Sequence, residues 1–258
     1  MALLRALAQR WPLLVLLARK EFHVRYRRAS FGTLWAVLIP LVQSAMMAVV
    51  FSRVAKLNLP HYPIYMLTGM VAWTYFSAVL NGGGTAIVDN ADLSSRVYFP
   101  RVLLPLVSVA SNLYGLVIML VIMLGLCPIL GVHLGKAVVL LVPAVALMVA
   151  FAAGLTMVSS ALHVYFRDIR YIITASLLLL LYGSPVIYAP DSFHSSLLRS
   201  LLTANPLTGI IDLFHASTVG AGGPMAAALA VSCAWTAGLL AVGIALQSRF
   251  DRVFADLL

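Results

Sequence analysis

The stretch VLLPLVSVASNLYGLVIMLVIMLGLCPIL, Val102–Leu130, contains no Asp, Glu, Lys or Arg. It is longer than the roughly 20 apolar residues that a helix needs to cross the hydrocarbon core of a bilayer. Lipid offers no partner to free backbone groups, so a spanning segment must be a helix or a strand of a closed barrel. Because the apolar run is continuous, it lacks the alternation of a barrel strand and predicts a transmembrane helix.

The same uncharged apolar pattern recurs along the chain. Of all residues, 62% are hydrophobic and 10% are charged, whereas soluble domains average about 25% charged residues. We therefore predict an all-α membrane protein with six transmembrane helices, built as a single transmembrane domain over residues 1–258. The spans occupy 31–248, and 249–258 form a cytoplasmic tail. The other five spans are predicted at Phe31–Ser52, Ile64–Val88, Ala137–Leu162, Ile172–Tyr188 and Pro224–Ser248.

The distribution of cations predicts the orientation of the spans. If both termini are cytoplasmic, the outer side keeps only Arg53, Lys56, Lys136 and Arg199 of the 17 Lys and Arg residues. This asymmetry follows the positive-inside rule, so we expect a multi-pass protein with both termini in the cytoplasm. The net charge of +9 is then a signal for orientation and lipid headgroups, and it does not indicate nucleic-acid binding.

Residues 1–30 predict an amphipathic helix at the cytoplasmic face of the membrane. The apolar run Trp11–Ala18 is too short to span, and the segment ARKEFHVRYRR that follows lacks the small residues of a leader cleavage site. The alternative is a disordered basic tail. The expected apolar stripe is Val15, Ala18, Phe22, Tyr26 and Ala29, with Lys20, Arg25, Arg27 and Arg28 available to lipid headgroups.

The outward segment Ala189–Gly222 predicts two short half-helices between the fifth and sixth spans. Leu197, Leu198, Leu201 and Leu202 would share one helical face, and Asn205-Pro206 would separate the two pieces. Apolar helices outside a membrane usually return to the interface or to the protein. The glycines of NGGGT, Asn81–Thr85, are expected to interrupt the second span.

The sequence offers no catalytic, cofactor-binding or metal-binding constellation. GVHLGKA, Gly131–Ala137, is one residue too short between its glycines for a phosphate loop. We interpret Cys127 and Cys233 as packing residues. A membrane-embedded lipid-modifying enzyme is the remaining alternative from another class, with Ser159, Ser160 and His163 as its only candidate group. The predicted spans contain no charged residue that would couple transport to ions, so energy for transport is expected from another chain.

Five motifs in order along the chain carry a resemblance to a known family. They are RKEFHVRYRRASFGTLWAVLIPL (Arg19–Leu41), NADLSSRVYFPRVLLPL (Asn90–Leu106), HVYFRDIRYI (His163–Ile172), GSPVIYAP (Gly183–Pro190) and NPLTGIIDLF (Asn205–Phe214). Together they resemble the membrane (permease) subunits of type-2 ABC exporters for polysaccharides and polyol phosphates, which carry O-antigen, capsule or teichoic-acid polymers. Two departures are visible: Lys20-Glu21 stand where an Arg-Asp step is expected, and His215 lies near a position where many members carry Arg.

The resemblance implies a half-transporter in the bacterial inner membrane. Two copies would form the pathway for a lipid-linked glycan, and two copies of a separate nucleotide-binding subunit would hold ATP and Mg. The same architecture exporting drugs or small lipids is the nearest alternative. The candidate ATPase-coupling residues lie in two cytoplasmic segments. For Arg167 and Asp168 the alternative is that they form a solvated pair in a loop and serve only to fix the topology of the chain. The candidate coupling residues are Asp89, Asp92, Arg96, Phe99, Arg101, Arg167, Asp168 and Arg170.

The resemblance also places the pathway between the first and fifth spans of the two copies. Sugar rings stack on aromatic side chains, and their hydroxyls seek hydrogen bonds. For the aromatic residues the alternative role is packing or an interfacial belt, and a belt would suit Trp35, Tyr65 and Tyr188 near span ends. For Gln43 the alternative role is a hydrogen bond between helices. The candidate pathway residues are Trp35, Gln43, Ser44, Trp73, Tyr182, Gly183 and Ser184.

Overall fold

The computed structural model describes residues 10–26, 31–53, 61–91, 100–190, 195–220 and 226–250. Within these ranges the chain is helical and contains no strand. Two short 3₁₀ helices, Gly32–Leu34 and Lys136–Leu140, precede α2 and α6. The α-helices are α1 (Trp11–Tyr26), α2 (Trp35–Arg53), α3 (Tyr62–Gly83), α4 (Ala86–Asp89), α5 (Leu103–Ile129), α6 (Leu141–Tyr165), α7 (Ile169–Gly183), α8 (Ser196–Ala204), α9 (Thr208–Thr218) and α10 (Ala226–Phe250).

Five helices in the described part of the chain are long and apolar enough to cross a membrane. They are α2, α3, α5, α10, and α6 together with its preceding 3₁₀ turn. Each matches one predicted span. The remaining predicted span, Ile172–Tyr188, corresponds to α7, which has 15 residues and ends at Gly183. The reason is local, because Pro185 disfavours helical geometry at the residue before it, and Ser184 is extended with φ −118° and ψ 153°.

Helix α3 lies at the centre of the fold. In the most apolar stretch of α3, 78% of the residues are buried, whereas the corresponding share is 17% in α2 and 17% in α10. Helix α3 packs against α2, α5, α6 and α9. Its largest buried side chains, among them Tyr65, Met66, Met70 and Phe76, form the main core. The peripheral helices therefore expose most of their apolar surface on the outside of the chain.

The predicted interruption at NGGGT is confirmed. Helix α3 ends at Gly83, and α4 begins after Thr85. A Cβ atom on Gly82 would lie 2.9 Å from Ser108 Oγ, and one on Gly84 would lie 2.5 Å from Ile173 Cδ1. The glycines therefore let the end of α3 fit closely between α5 and α7.

Helix α1 packs along the first part of α5. Leu14 and Ala18 are buried, and Leu14 joins Leu103 and Leu104 in a small apolar cluster. Val15, expected in the apolar stripe, is instead 39% exposed, so the buried face is rotated by one residue from the predicted stripe. Arg27, Arg28, Ala29 and the side chain of Tyr26 lie outside the described residues. The position of α1 at a membrane surface stays a prediction.

The two short helices α8 and α9 are present, with the expected break at Asn205-Pro206. In α8, Leu202 is buried while Leu197 and Leu201 are exposed. Almost every residue of α9 is buried. A Cβ atom on Gly209 would lie 2.6 Å from the Ala228 backbone, so this glycine allows α9 to pack directly on α10.

Candidate functional site

Asp89 and Arg170 join the two segments that were predicted to couple to an ATPase. Asp89 ends α4, and Arg170 lies in the first turn of α7. One Asp89 carboxylate oxygen accepts a hydrogen bond from Arg170 Nη2, and the other accepts one from Thr85 Oγ1 at 2.6 Å. Both partners of the ion pair are about half exposed, and exposed pairs contribute about 0–1 kcal/mol. The pair therefore positions α7 relative to α4 more than it stabilises the fold.

Some of the other predicted coupling residues are exposed and one is buried. Arg167 and Asp168 are exposed in the turn between α6 and α7. The backbone carbonyl of Asp168 accepts hydrogen bonds at 3.0 Å from the Tyr171 and Ile172 amides, which begin α7. Arg101 is only 8% exposed, so its side chain faces the protein. Asp92, Arg96 and Phe99 lie outside the described residues.

A polar network ties α1 to α5. Arg25 Nη1 donates to Asn112 Oδ1 at 2.7 Å, and Arg25 Nη2 donates to Glu21 Oε1 at 3.1 Å. The same Glu21 oxygen accepts from Ser111 Oγ at 3.2 Å, and Asn112 Nδ2 donates to the Ser108 carbonyl at 2.7 Å. The sequence analysis did not identify this polar face of α5 as the surface that binds α1. The spacing of Ser108, Ser111 and Asn112 could have indicated it, because it puts three polar side chains on one face of an apolar helix.

The ring of Phe22 also contacts α5. It lies 5.3 Å from the ring of Tyr114, measured between centroids. Phe22 was predicted to lie on the apolar stripe of the interface helix. Its partly buried side chain packs on a neighbouring helix of the same chain, so α1 is attached by apolar and polar contacts together.

Four of the predicted pathway residues are exposed on the surface of the single chain. Trp35 and Gln43 lie on the exposed side of α2. Tyr182, near the end of α7, is 55% exposed, and its backbone carbonyl accepts a hydrogen bond from the Tyr188 hydroxyl at 2.8 Å. Gly183 has open space where a Cβ atom would stand.

The other three predicted pathway residues are buried within the chain. Ser44 Oγ donates to the Leu41 carbonyl at 3.0 Å, on its own helix. Trp73 is 7% exposed and packs against Phe76 at 5.7 Å between ring centroids. Ser184 Oγ accepts a hydrogen bond from Asn205 Nδ2 at 2.9 Å. In this arrangement their side chains contact the protein interior.

The non-helical segment after α7 is anchored to α3. The Tyr62 hydroxyl donates to the Ile187 carbonyl at 2.8 Å, and the Tyr65 hydroxyl donates to the Tyr188 carbonyl at 2.8 Å. A Cβ atom on Gly69 would lie 2.6 Å from the Val186 carbonyl oxygen, so only glycine permits this approach. Tyr65, which sequence position suggested for an interfacial belt, is therefore buried and hydrogen-bonded.

His215 on α9 is a buried neutral residue. Its ring stacks on Tyr65 at 3.7 Å between centroids, and Nε2 lies 3.2 Å from the Tyr65 carbonyl oxygen. Because a carbonyl only accepts, Nε2 is the donor. Burial lowers the pKa of His215 to about 3, against the opposing effect of this hydrogen bond. At neutral pH His215 is therefore no fixed cation.

Ser160, one of the three residues considered for a membrane-embedded enzyme, has a structural partner. Gln247 Nε2 donates to the Met157 carbonyl at 2.9 Å and to Ser160 Oγ at 3.1 Å, which ties α10 to α6. In the described ranges, no cluster of three or more His, Cys, Asp or Glu side chains is suited to hold a metal ion. Cys127 is buried, as expected of a packing residue, whereas Cys233 is exposed on α10 in the single chain.

Comparison with known proteins gives a consistent result. The sequence model of the family described as "ABC-2 type transporter" matches residues 12–218. The O-antigen export system permease protein RfbA of Myxococcus xanthus is 33% identical over 219 residues, which cover 83% of this chain and 83% of that protein. Two proteins of the same name from Klebsiella pneumoniae are 25% identical over 202 residues, covering 78% of each chain, and 26% identical over 261 residues, covering 96% of this chain and 95% of the relative.

Proposed function

Because this chain belongs to the ABC-2 type transporter family, we propose that it is the permease subunit of an ATP-driven exporter of a lipid-linked, O-antigen-like polysaccharide. One observation carries the choice of cargo. The relative that is 33% identical, with 83% of both chains aligned, is named an O-antigen export permease. The fold agrees with a transport subunit, since five helices in the described part of the chain are suited to span a membrane.

The energy is proposed to come from a separate ATPase subunit. Family membership supports such a partner, and the spans predicted from the sequence carry no charged residue for ion coupling. In this arrangement two copies of the chain associate with two copies of the ATPase, which bind ATP and Mg. The chain itself then contributes no catalytic residue.

The ATPase is proposed to contact the end of the molecule that carries Asp89 and Arg170. These residues bridge the segment after α3 to the first turn of α7. A displacement of one segment would therefore reach the other directly, since a bonded pair transmits force better than two independent loops. The exposed Arg167 and Asp168 lie just before that helical turn and are available to a partner. Asp92, Arg96 and Phe99 are proposed to complete the contact.

The glycan pathway is proposed to run between two protomers, along α2 and α7. Only 17% of the most apolar stretch of α2 is buried within the chain. Lipid or a second copy must therefore cover the exposed side of this helix. Gln43 lies on that side, and an amide facing hydrocarbon is unfavourable unless protein, water or cargo satisfies it. Tyr182 offers an exposed ring on which a sugar face can stack. We restrict the pathway proposal to Trp35, Gln43, Tyr182 and Gly183.

A sixth span is proposed from α7 and the segment that follows it. A helix of 15 residues is about 22 Å long, short of the roughly 30 Å hydrocarbon core. Irregular backbone is tolerated at membrane depth where protein surrounds it. Val186 and Ile187 are buried, and Tyr62 and Tyr65 bind the backbone of this segment. The proposed topology places both termini in the cytoplasm, at the inner membrane.

Deletion of the gene tests the cargo. We expect surface polysaccharide to disappear, glycan-loaded lipid carrier to accumulate inside, and a plasmid copy to restore the polymer. Immunoblots of surface polymer and mass spectrometry of extracted lipids measure both effects. Unchanged polymer together with increased drug sensitivity would favour an exporter of drugs or small lipids instead.

A further inference from the structure

A cavity of about 350 Å³ lies between α1, the connection from α3 to α4, and the start of α5. Its volume falls within the range of about 300–1,000 Å³ typical of small-molecule sites. Three charged side chains line it, Lys20, Glu21 and Asp89, and Leu17, Val24 and Leu104 provide apolar walls. The transport pathway proposed above uses none of these wall residues.

The charges around the cavity leave one cation uncompensated. Glu21 accepts hydrogen bonds from Arg25 and Ser111. Asp89 pairs with Arg170 and also accepts from Thr85. Both carboxylates are therefore neutralised by neighbouring arginines. Lys20 has no ion-pair partner in the described ranges of the chain, so its ammonium is the free charge of the cavity.

The position of the cavity relates it to a lipid interface. It lies where α3 ends at Gly83 and α5 begins at Leu103, and both helices are candidate membrane spans. The ends of spanning helices lie at the depth of lipid headgroups, where basic pockets between helices bind phosphate. Leu17, Val24 and Leu104 line the same cavity as Lys20.

We propose that this cavity binds the phosphodiester headgroup of a resident membrane phospholipid. Lys20 binds the phosphate, and the first acyl methylenes contact Leu17, Val24 and Leu104. A phosphodiester carries a single negative charge and matches the single free ammonium. A pyrophosphate-linked carrier brings more negative charge, and it would face Glu21 and Asp89 without a further free cation.

Native mass spectrometry of the full-length protein, titrated with phosphatidylglycerol in detergent, tests the site. We expect Lys20→Ala to weaken retention of the lipid about fivefold, the effect of losing about 1 kcal/mol from one cation near a phosphate. Arg19→Ala is the matched control, since Arg19 is exposed on the same helix and does not line the cavity; it should leave retention unchanged. Equal retention by wild type and Lys20→Ala, or equal loss in both variants, would overturn the proposal.

A second variant pair tests the cavity without changing charge. Val24 is exposed and lines the cavity, so Val24→Trp should fill it and reduce retention, whereas Leu16→Trp, exposed on α1 but away from the cavity, should not. Diacylglycerol with the same acyl chains and inorganic phosphate should each bind more weakly than phosphatidylglycerol. If a polyprenyl pyrophosphate displaces phosphatidylglycerol at equal concentration, the site belongs to the cargo and the proposal is wrong. These readouts do not depend on export, so they remain separate from the test of function.

Discussion

Arg25 of α1 donates a hydrogen bond to the side-chain oxygen of Asn112, 2.7 Å away in the membrane-spanning helix α5. The two residues are 87 positions apart in the sequence. With the Glu21 to Ser111 contact one turn away, this bond fixes both the rotation and the position of α1. The N-terminal helix is therefore part of the folded domain.

Replacing Asn112 with Leu should loosen α1. The change removes the acceptor of the Arg25 guanidinium in a part-buried site, and such a loss costs about 1–3 kcal/mol. Limited proteolysis should cut within residues 10–26 faster in the variant. Asn112→Asp retains an oxygen acceptor and should protect α1 as the wild type does. Equal cleavage rates in Asn112→Leu and wild type would show that apolar packing alone holds the helix.

Breaking the pair of Asp89 and Arg170 should separate ATP hydrolysis from export while changing stability by less than about 1 kcal/mol, because both side chains are partly exposed. Asp89→Arg in the purified complex should lower polymer export several-fold while basal hydrolysis continues. The double change Asp89→Arg with Arg170→Asp reverses the pair and should restore export. Failure of the double variant to exceed either single variant would assign the residues separate roles.

Gln43→Leu and Tyr182→Leu should each reduce the amount of long surface polymer. Both side chains are exposed on the single chain, and both changes remove groups that can contact sugar. Val42→Leu is the control, because Val42 is an exposed neighbour on α2 and its replacement stays apolar. Polymer length and abundance on gels, normalised to protein level, measure the effect. Normal polymer from both variants would place the pathway elsewhere.

Gly69→Ala should destabilise the packing of α3 against the segment that follows α7. The new Cβ atom would lie 2.6 Å from the Val186 carbonyl oxygen, and overpacking of this kind costs about 1–3 kcal/mol. Gly125→Ala is the control on α5, where no atom lies within 4 Å of the added Cβ. Thermal unfolding in detergent should show a lower midpoint for Gly69→Ala only. Equal midpoints would mean that the segment around Val186 moves aside without cost.

His215 should make the fold sensitive to acid. Its pKa falls from 6.5 to about 3 in the folded protein, so below pH 6.5 the unfolded chain binds a proton that the folded chain does not. Stability is then complete above that pH and decreases as the pH falls toward 3, by about 2 kcal/mol at pH 5. His215→Gln should reduce the difference in unfolding free energy between pH 7.5 and pH 5 by that amount. An unchanged difference would assign the acid sensitivity to other groups.

Much of the fold followed from local properties of the sequence. Apolar runs such as Val102–Leu130 predicted spanning helices, because the bilayer sets their length and forbids free backbone groups. The breaks at Asn81–Thr85 and Asn205-Pro206 followed from glycine and proline chemistry. The end of α7 was placed too late, although Pro185 marks it in the sequence. The family resemblance, carried by short motifs in order, was confirmed by comparison.

The sequence by itself thus determined which segments form helices and in what order, since these depend on residues close together along the chain. Only the tertiary structure decided which face of each helix is buried. A helix that is apolar on every side has no stripe to mark its contacts, so the sequence does not show that Trp73 of α3 is buried while Tyr182 of α7 is exposed. The same holds for Arg25 and Asn112, or Asp89 and Arg170, whose meeting depends on packing between distant segments.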